Sequence, residues 1–461
     1  MADKLQDWQN HKTLWHATDL VGASLVLGRG AEAKEAAEFI LSEASGATLP
    51  AKEVAASIIG PRRELQPPPQ FGTSDGKRRV YSFVHDLRLR APEEPRNSII
   101  WVDLALAYTI LGRTEQADRA FKVALALDST NRFVLRSAAR FYIHQGDFER
   151  AHSILVRAES TVTDPWLLAA EIAVASAGNR KPLFVKPARQ MLASGNNPDQ
   201  ELSELASSLA TLEFENGNSG AARKLFRTAL IAPTENSVAQ AEWASVRLSG
   251  LQLDPNQFNI PRLFEAKAWD SFVKGDWRAA LQDTTNWLED QQFSSRPAML
   301  AAFILTEAFE DFQQASELLK ASLVANPFDV VLLNDLAYSY ASLNRLDEAQ
   351  SELNRIEQTT LEQSSRTLVL ATQGLIYFRR GFPDEGRSLY LQAIEVARKN
   401  QNNNYKAIAA INLAREELLA ESPSATEALR RAEKESADFP SKDVLMLLDR
   451  LKTRHAMKIT K

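Results

Sequence analysis

Few side chains in this sequence have the types and spacing that catalysis requires. The chain has no cysteine, which excludes disulfides, thiolate nucleophiles and cysteine-ligated zinc. It contains no Gly-x-Ser-x-Gly nucleophile elbow and no phosphate-binding Gly-x4-Gly-Lys-Ser/Thr loop. The histidines lack metal-binding spacing, and they are His11, His16, His85, His144, His152 and His455. We therefore expect a protein that is not an enzyme, with no catalytic residue, cofactor, bound metal or small-molecule substrate.

Positive charge is concentrated between Arg62 and Arg90, where Tyr81 and Phe83 lie among the basic side chains. The basic residues are Arg62, Arg63, Lys77, Arg78, Arg79, Arg88 and Arg90. Two interpretations stay open: a surface that binds nucleic acid or an acidic partner, and a solvated helix beside a linker. The formal net charge of the chain is −5, whereas a nucleic-acid-binding protein usually has a basic excess. We therefore expect another protein as the partner, with nucleic acid as the alternative.

Two glycines indicate the elements that must position any functional side chain. Gly112 and Gly146 are 34 positions apart, and a tyrosine precedes each by four positions, at Tyr108 and Tyr142. A period of 34 is typical of helix–turn–helix arrays, in which each unit buries its apolar face against the next. The same stripe of small and apolar residues recurs around both glycines: Trp101, Leu104, Ala105, Tyr108, Gly112, Ala117, Phe121 and Ala124, then Leu135, Ala138, Ala139, Tyr142, Gly146, Ala151, Leu155 and Ala158.

These spacings resemble the tetratricopeptide repeat, whose pattern is W-x2-L-G-x2-Y followed by G, A, F and A. Ala105 stands where that family has its first glycine. The resemblance is clearest over residues 97–398. It implies an all-α fold, a right-handed α-solenoid of about eight to ten stacked helix pairs.

The repeat pattern divides the chain into four parts. We expect a diverged helical region with a proline-rich loop over residues 1–95, a first repeat block over 96–250, a second repeat block over 262–400, and helices that cap the array over 401–461. The stretch Gly250–Pro261, where the two blocks meet, has lost the period and contains two prolines and a glycine. Inside the blocks, Pro182 and Pro187 are expected to break up a helix. Gly386, in place of the usual alanine, predicts looser packing between two helices.

The resemblance also implies where a partner binds, because in this family the first helix of each pair lines the concave surface. The side chains expected there are Phe133, Arg136, Arg140, His144, Trp269, Phe272, Asn334 and Tyr338. Aromatic and arginine side chains are enriched at protein interfaces. Arg136 and Arg140 are one helical turn apart and could hold a carboxylate or phosphate. For Trp269 and Phe272, simple packing on the next repeat is an open alternative.

The function expected from these residues is that of a scaffold or adaptor, which binds a segment of another protein in the groove. The alternative is a regulatory subunit of a nucleic-acid-associated complex that uses the basic N-terminal region. The longest apolar stretches, around Trp166–Ala177 and Ala298–Phe309, are short and each contains a glutamate, so no membrane helix is expected. Residues 1–15 lack the apolar segment of a signal peptide. We expect a cytoplasmic protein.

Overall fold

The chain folds into helices joined by short connections. The computed structural model describes residues 2–26, 29–42, 46–47, 49–59, 74–357 and 361–459. None of these residues is in a β-strand, so the expected all-α fold is confirmed. The chain is divided into two compact units, Met1–Gln70 and Phe71–Lys461. Both predicted repeat blocks therefore lie within the second unit.

The first unit is a small helical cluster. Its helices are α1 Ala2–Asn10, α2 Leu14–Val26, α3 Lys34–Leu41 and α4 Leu49–Ile59, with a 3-10 turn at Gly30–Ala33. The side chains of Trp8, Leu20 and Ile40 are buried in its core. The loop predicted over residues 61–76, with Arg62 and Arg63, falls largely outside the described residues.

The second unit is a series of helix pairs, an α-solenoid in which each helix packs against its neighbours along the chain. Its helices are α5 Ser74–Arg90, α6 Ser98–Ile110, α7 Thr114–Leu127, α8 Arg132–His144, α9 Phe148–Arg157, α10 Pro165–Ala177, α11 Val185–Ser194, α12 Asp199–Glu215, α13 Ser219–Ala229, α14 Glu235–Ser245, α15 Phe264–Lys274, α16 Trp277–Asp290, α17 Ser295–Phe303, α18 Phe312–Ser322, α19 Val330–Ser342, α20 Leu346–Asn354, α21 Gln363–Arg379, α22 Pro383–Lys399, α23 Asn403–Leu419, α24 Ala425–Ala437 and α25 Lys442–Ile459. None of the described helices is long and apolar enough to cross a membrane.

Capping side chains and glycines set the ends of the repeat helices. The side-chain oxygen of Asn131 accepts a hydrogen bond from the backbone N–H of Phe133 at 2.9 Å, which caps the start of α8. Gly112 and Gly146 follow α6 and α8 with φ of 67° and 74°, a left-handed conformation that glycine adopts without a Cβ clash. A Cβ on Gly112 would also lie 2.1 Å from the carbonyl oxygen of Val324, in the loop after α18. The second block therefore reaches back to the first repeat.

Two local predictions are wrong, and both errors have a physical reason. Pro182 lies before α11, and Pro187 lies in the first turn of that helix, where backbone N–H groups have no partner within the helix. The helix therefore forms. A Cβ on Gly386 would lie 2.5 Å from the Phe378 ring and 2.8 Å from the carbonyl oxygen of Gly374. Glycine at this position permits a closer approach of α21 and α22, not looser packing.

The last helix connects distant parts of the second unit. Helix α25 packs against α23, α24 and the π-helical turn Ile304–Ala308, which follows α17. Arg450 on α25 donates hydrogen bonds to the carbonyl oxygens of Glu307, at 2.6 Å, and Ala308, at 2.8 Å. A π-helical turn departs from the regular hydrogen-bond pattern of an α-helix, and here the arginine pairs two of its carbonyl groups. Helix α25 thus bridges the end of α17 and the surface of α23.

Candidate partner-binding site

The eight side chains predicted to face the groove fall into two places within the second unit. Those on α8 are Phe133, Arg136, Arg140 and His144. Those on α15 and α19 line one cavity, and they are Trp269, Phe272, Asn334 and Tyr338.

Arg136 is already paired within the chain. Its Nη2 donates a hydrogen bond to Glu204 Oε2 at 2.7 Å, and its guanidinium lies 5.3 Å from the centre of the Trp166 ring. Glu204 is buried and also accepts a hydrogen bond from Asn236 at 2.8 Å. This carboxylate balances the charge of Arg136. Phe133, on the same helix, is 47% exposed.

Loops of the second block contact the other two α8 side chains, of which Arg140 stays exposed and His144 is half-buried. The Arg140 guanidinium lies 4.8 Å from the centre of the Phe293 ring, and the His144 ring packs against the same phenylalanine at 5.1 Å. His144 Nε2 lies 3.1 Å from the carbonyl oxygen of Ala325, to which it donates. Burial lowers the pKa of both Arg140 and His144. Arg136 is thus ion-paired and Arg140 packs on Phe293, and binding of a carboxylate or phosphate by these two arginines stays a prediction.

A cavity of about 540 Å³ lies between the first helices of successive pairs in the second block and the helices that follow that block. We call it the second-block cavity. Its volume is within the range of about 300–1,000 Å³ that ligand sites occupy. Most of its wall comes from α15, α17, α19, α21 and α23, and Asp443 of α25 completes it. Its aromatic side chains are Trp269, Phe272, Phe303, Tyr338, Tyr390 and Tyr405.

Aromatic rings from two successive helix pairs meet at one end of the second-block cavity. The Phe272 ring centre lies 5.7 Å from that of Trp269 and 5.8 Å from that of Phe303, both in edge-on arrangements. Such pairs contribute stability beyond their burial. Phe272 therefore packs on the next repeat and lines the cavity at the same time, and its part in binding a partner stays a prediction.

One wall of the cavity carries oxygen atoms that lack partners. Asn334 Nδ2 donates a hydrogen bond to Asp335 Oδ1 at 3.3 Å. Asn334 Oδ1 and Thr367 Oγ1 have no hydrogen-bond partner among the described residues, although the two side chains are only 3% and 2% exposed. Burial raises the pKa of Asp335 to about 7, with smaller rises from the carboxylates of Asp329 and Glu307. These acceptors belong to a buried polar wall that is only partly satisfied.

A buried network behind this wall holds Tyr338 in place. Arg415 Nη1 donates a hydrogen bond to the Tyr338 hydroxyl oxygen at 3.0 Å, and that hydroxyl is hydrogen-bonded to Glu307. Arg415 Nε also donates to Glu416 at 3.0 Å. Burial raises the pKa of Glu307, and the nearby Arg415 opposes that rise. The carboxylates of Glu307 and Glu416 thus balance Arg415, which leaves Asp335 outside this network.

One helix pair of the second unit matches a known family model. Residues 99–131, with most of α6 and all of α7, match the family model described as Tetratricopeptide repeat. The chain contains a tetratricopeptide repeat at these residues. No curated protein matches this repeat protein significantly.

Solved structures similar to the repeat protein share little of its sequence. Yeast Tom70 is 13% identical with a TM-score of 0.34, over 83% of this chain and 96% of that one. The Cut9-Hcn1 hetero-tetramer of the APC/C is 13% identical with a TM-score of 0.37, over 97% of this chain and 92% of that one. A tetratricopeptide repeat protein from Parabacteroides merdae is 12% identical with a TM-score of 0.27, over 68% of this chain and 98% of that one. Likenesses at this level do not bear on what the repeat protein binds.

The sequence pattern did not indicate several residues of the site. Asp335 follows Asn334 within an otherwise apolar stretch of α19, and a carboxylate in that setting is a signal that could have identified it. Thr367, Tyr405 and Asp443 carry no comparable signal, because they reach the cavity only through the curvature of the stacked helix pairs.

Other predicted features of the repeat protein are located as follows. No group of His, Asp and Glu side chains in the described ranges is arranged to hold a metal ion. On the basic helix α5, Arg90 pairs with Glu94 at 3.4 Å, and the Arg113 guanidinium lies 5.3 Å from the centre of the Tyr81 ring. Binding of nucleic acid by this region stays a prediction.

Proposed function

We propose that this repeat protein is a non-enzymatic scaffold that binds a segment of a partner protein in the second-block cavity. The observation that carries the proposal is the meeting of four predicted groove residues, Trp269, Phe272, Asn334 and Tyr338, around one largely apolar space. Binding sites commonly combine an apolar lining with a few fixed polar groups. Aromatic anchors at the centre of an interface also supply much of its binding energy.

The site is preformed, which favours recognition of a flexible segment. The Arg415–Tyr338 hydrogen bond and the Arg450 contacts with the π-helical turn fix the walls before any partner arrives. A rigid receptor loses little conformational entropy on binding, so more of the contact energy appears as affinity. Extended and helical segments are both bound in grooves of this kind.

The second block is a better location for the partner than the first. On α8, Arg136 is paired with Glu204, and the Arg140 and His144 side chains both contact the Phe293 ring. A partner that bound Arg136 or His144 through their polar atoms would have to compete with these contacts. The second-block cavity needs no such displacement. The cytoplasmic location expected from the sequence is part of the same proposal.

A cavity-filling substitution tests this function. Leu368 on α21 lines the cavity and is half-buried, so Leu368→Trp places a bulky side chain inside it. Leu419, at the end of α23, is 48% exposed, and Leu419→Trp is the matched control. Peptides selected on the wild-type protein from a random-peptide display library are then titrated against each variant by fluorescence anisotropy. Circular dichroism verifies that both variants are folded.

We expect Leu368→Trp to weaken the selected peptides by about tenfold or more, because blocked anchor pockets commonly cost at least about 1–2 kcal/mol. Leu419→Trp should leave their Kd unchanged. Equal affinity for a folded Leu368→Trp variant, or no selectable peptide at all, would contradict the proposed function.

A further inference from the structure

The charges that line the second-block cavity are unbalanced. Its carboxylates are Glu307, Asp335 and Asp443, and its one cation among the described lining residues is Arg296. Arg296 is exposed and pairs with Glu265 at 2.5 Å, outside the cavity lining. Glu307 lies beside the buried Arg415. The Asp335 carboxylate is left with a single hydrogen bond, from Asn334, and with no cationic partner among the described residues.

Two further oxygen atoms point to the same kind of ligand. Asn334 Oδ1 and Thr367 Oγ1 are buried, lie in the lining and are unpartnered within the described ranges. The hydrogen bond from Asn334 Nδ2 to Asp335 fixes the amide orientation, so the Asn334 oxygen is the atom left free. A buried acceptor without a hydrogen bond destabilises the protein, because it has lost its contacts with water and gained none in return. A ligand that donates hydrogen bonds would therefore bind with a gain that an apolar ligand cannot provide.

The aromatic wall suits the stem and the charge of a basic side chain. Trp269, Phe272 and Tyr405 line the same space as Asp335. Aromatic faces attract ammonium and guanidinium groups, and the methylene stems of lysine and arginine bury well on such rings. An acidic ligand would instead meet the uncompensated carboxylate.

We propose that the second-block cavity binds a lysine or arginine side chain of the partner segment, with Asp335, Asn334 and Thr367 accepting its hydrogen bonds and neighbouring apolar side chains of the segment packing on the aromatic wall. This inference rests on the proposed function and specifies the chemistry of the partner. A peptide segment supplies the cation and the apolar flanks together, which matches the two parts of the lining.

The test uses the full chain and the peptides selected on it. Their composition is compared between selections on wild type and on Leu368→Trp, so that cavity-dependent sequences are separated from the rest. A cavity-dependent peptide is then synthesised with its basic residue replaced by norleucine. Both peptides are titrated against wild type and Asp335→Asn, and Asp347→Asn is the control, because the Asp347 side chain is fully exposed.

We expect cavity-dependent peptides to be enriched in lysine or arginine beside apolar residues. Norleucine substitution should weaken wild-type binding by about tenfold or more, as loss of a buried charge partner commonly does. Asp335→Asn should weaken the basic peptide similarly and leave the norleucine peptide nearly unchanged. Circular dichroism verifies the fold of each variant.

Each other outcome has a definite meaning. Cavity-dependent peptides that are acidic or uncharged, or that bind equally well to Asp335→Asn, would overturn the inference and leave the proposed function standing. Absence of any peptide that is sensitive to Leu368→Trp would overturn both.

Discussion

An uncompensated carboxylate in a binding site should reduce the stability of the free protein, and Asp335→Asn measures by how much. The pKa of Asp335 is raised to about 7 by burial, next to the carboxylates of Asp329 and Glu307. Asn334 and Tyr405 are the other polar groups in its surroundings. In the unfolded chain an aspartate has a pKa of about 3.9. The unfolded state therefore releases this proton at lower pH than the folded state does.

The sign and size of the effect follow from this difference. Between about pH 4 and pH 7 the unfolded chain binds fewer protons, so stability falls as pH rises. At about 1.4 kcal/mol for each of about three pH units, the folded state is destabilised by about 4 kcal/mol at pH 8. At pH 4.5 the same calculation gives a destabilisation of the folded state of about 1 kcal/mol. Asp335→Asn should remove this penalty, so the stability that it adds should be about 3 kcal/mol greater at pH 8 than at pH 4.5.

The assay is urea denaturation of wild type, Asp335→Asn and the exposed control Asp347→Asn at both pH values. Comparing each variant at two pH values cancels the steric part of the substitution, because that part does not depend on pH. A gain for Asp335→Asn that is the same at pH 4.5 and pH 8 would refute the reasoning. So would an equal pH dependence in Asp347→Asn, because that side chain is fully exposed.

Three further predictions concern the same block. Gly386→Ala should lower the free energy of unfolding in urea by about 1–3 kcal/mol, because its Cβ would lie 2.5 Å from the Phe378 ring. Gly220 has open space around it, so Gly220→Ala should not lower that free energy. Equal effects of the two substitutions would contradict the close approach of α21 and α22. Arg450→Ala should remove charged hydrogen bonds worth about 1.5–3 kcal/mol each and speed proteolytic cleavage near α25. The control is Arg430→Ala at an exposed site. Cleavage of Arg450→Ala that is no faster than cleavage of this control would count against the contact between α25 and the π-helical turn. The affinity of a basic peptide should rise about tenfold from pH 6 to pH 8 as Asp335 ionises, and a flat Kd profile would count against its role.

The repeat spacing predicted the helix pairs because each pair is specified locally. The stripe around Gly112 and Gly146 gives the α6–α7 and α8–α9 pairs with their ends, since capping and periodicity act within one unit. The same spacing placed Trp269, Phe272, Asn334 and Tyr338 on first helices. Those four side chains line one cavity in the structure.

The long-range contacts were not predictable in this way. His144 meets Ala325 across 181 positions of sequence, and Arg450 meets Glu307 across 143. Such contacts depend on how small rotations between successive pairs add up along the solenoid, a quantity that no local pattern states. This is why the contacts of Arg140 with Phe293 and of His144 with Ala325 were not expected from the sequence. The packing at Gly386 was predicted wrongly for a related reason. The distance between α21 and α22 depends on the residues of both helices, and not on Gly386 alone.

The most direct measurement is a crystal structure of the full chain with a cavity-dependent selected peptide. The expected result is a lysine or arginine nitrogen of the peptide within about 4 Å of the Asp335 carboxylate, with its stem against Trp269 or Tyr405. A peptide bound on α8 or on the outer surface of the solenoid would contradict a binding site in the second-block cavity. An acidic or apolar side chain facing Asp335 would contradict the chemistry proposed for the partner.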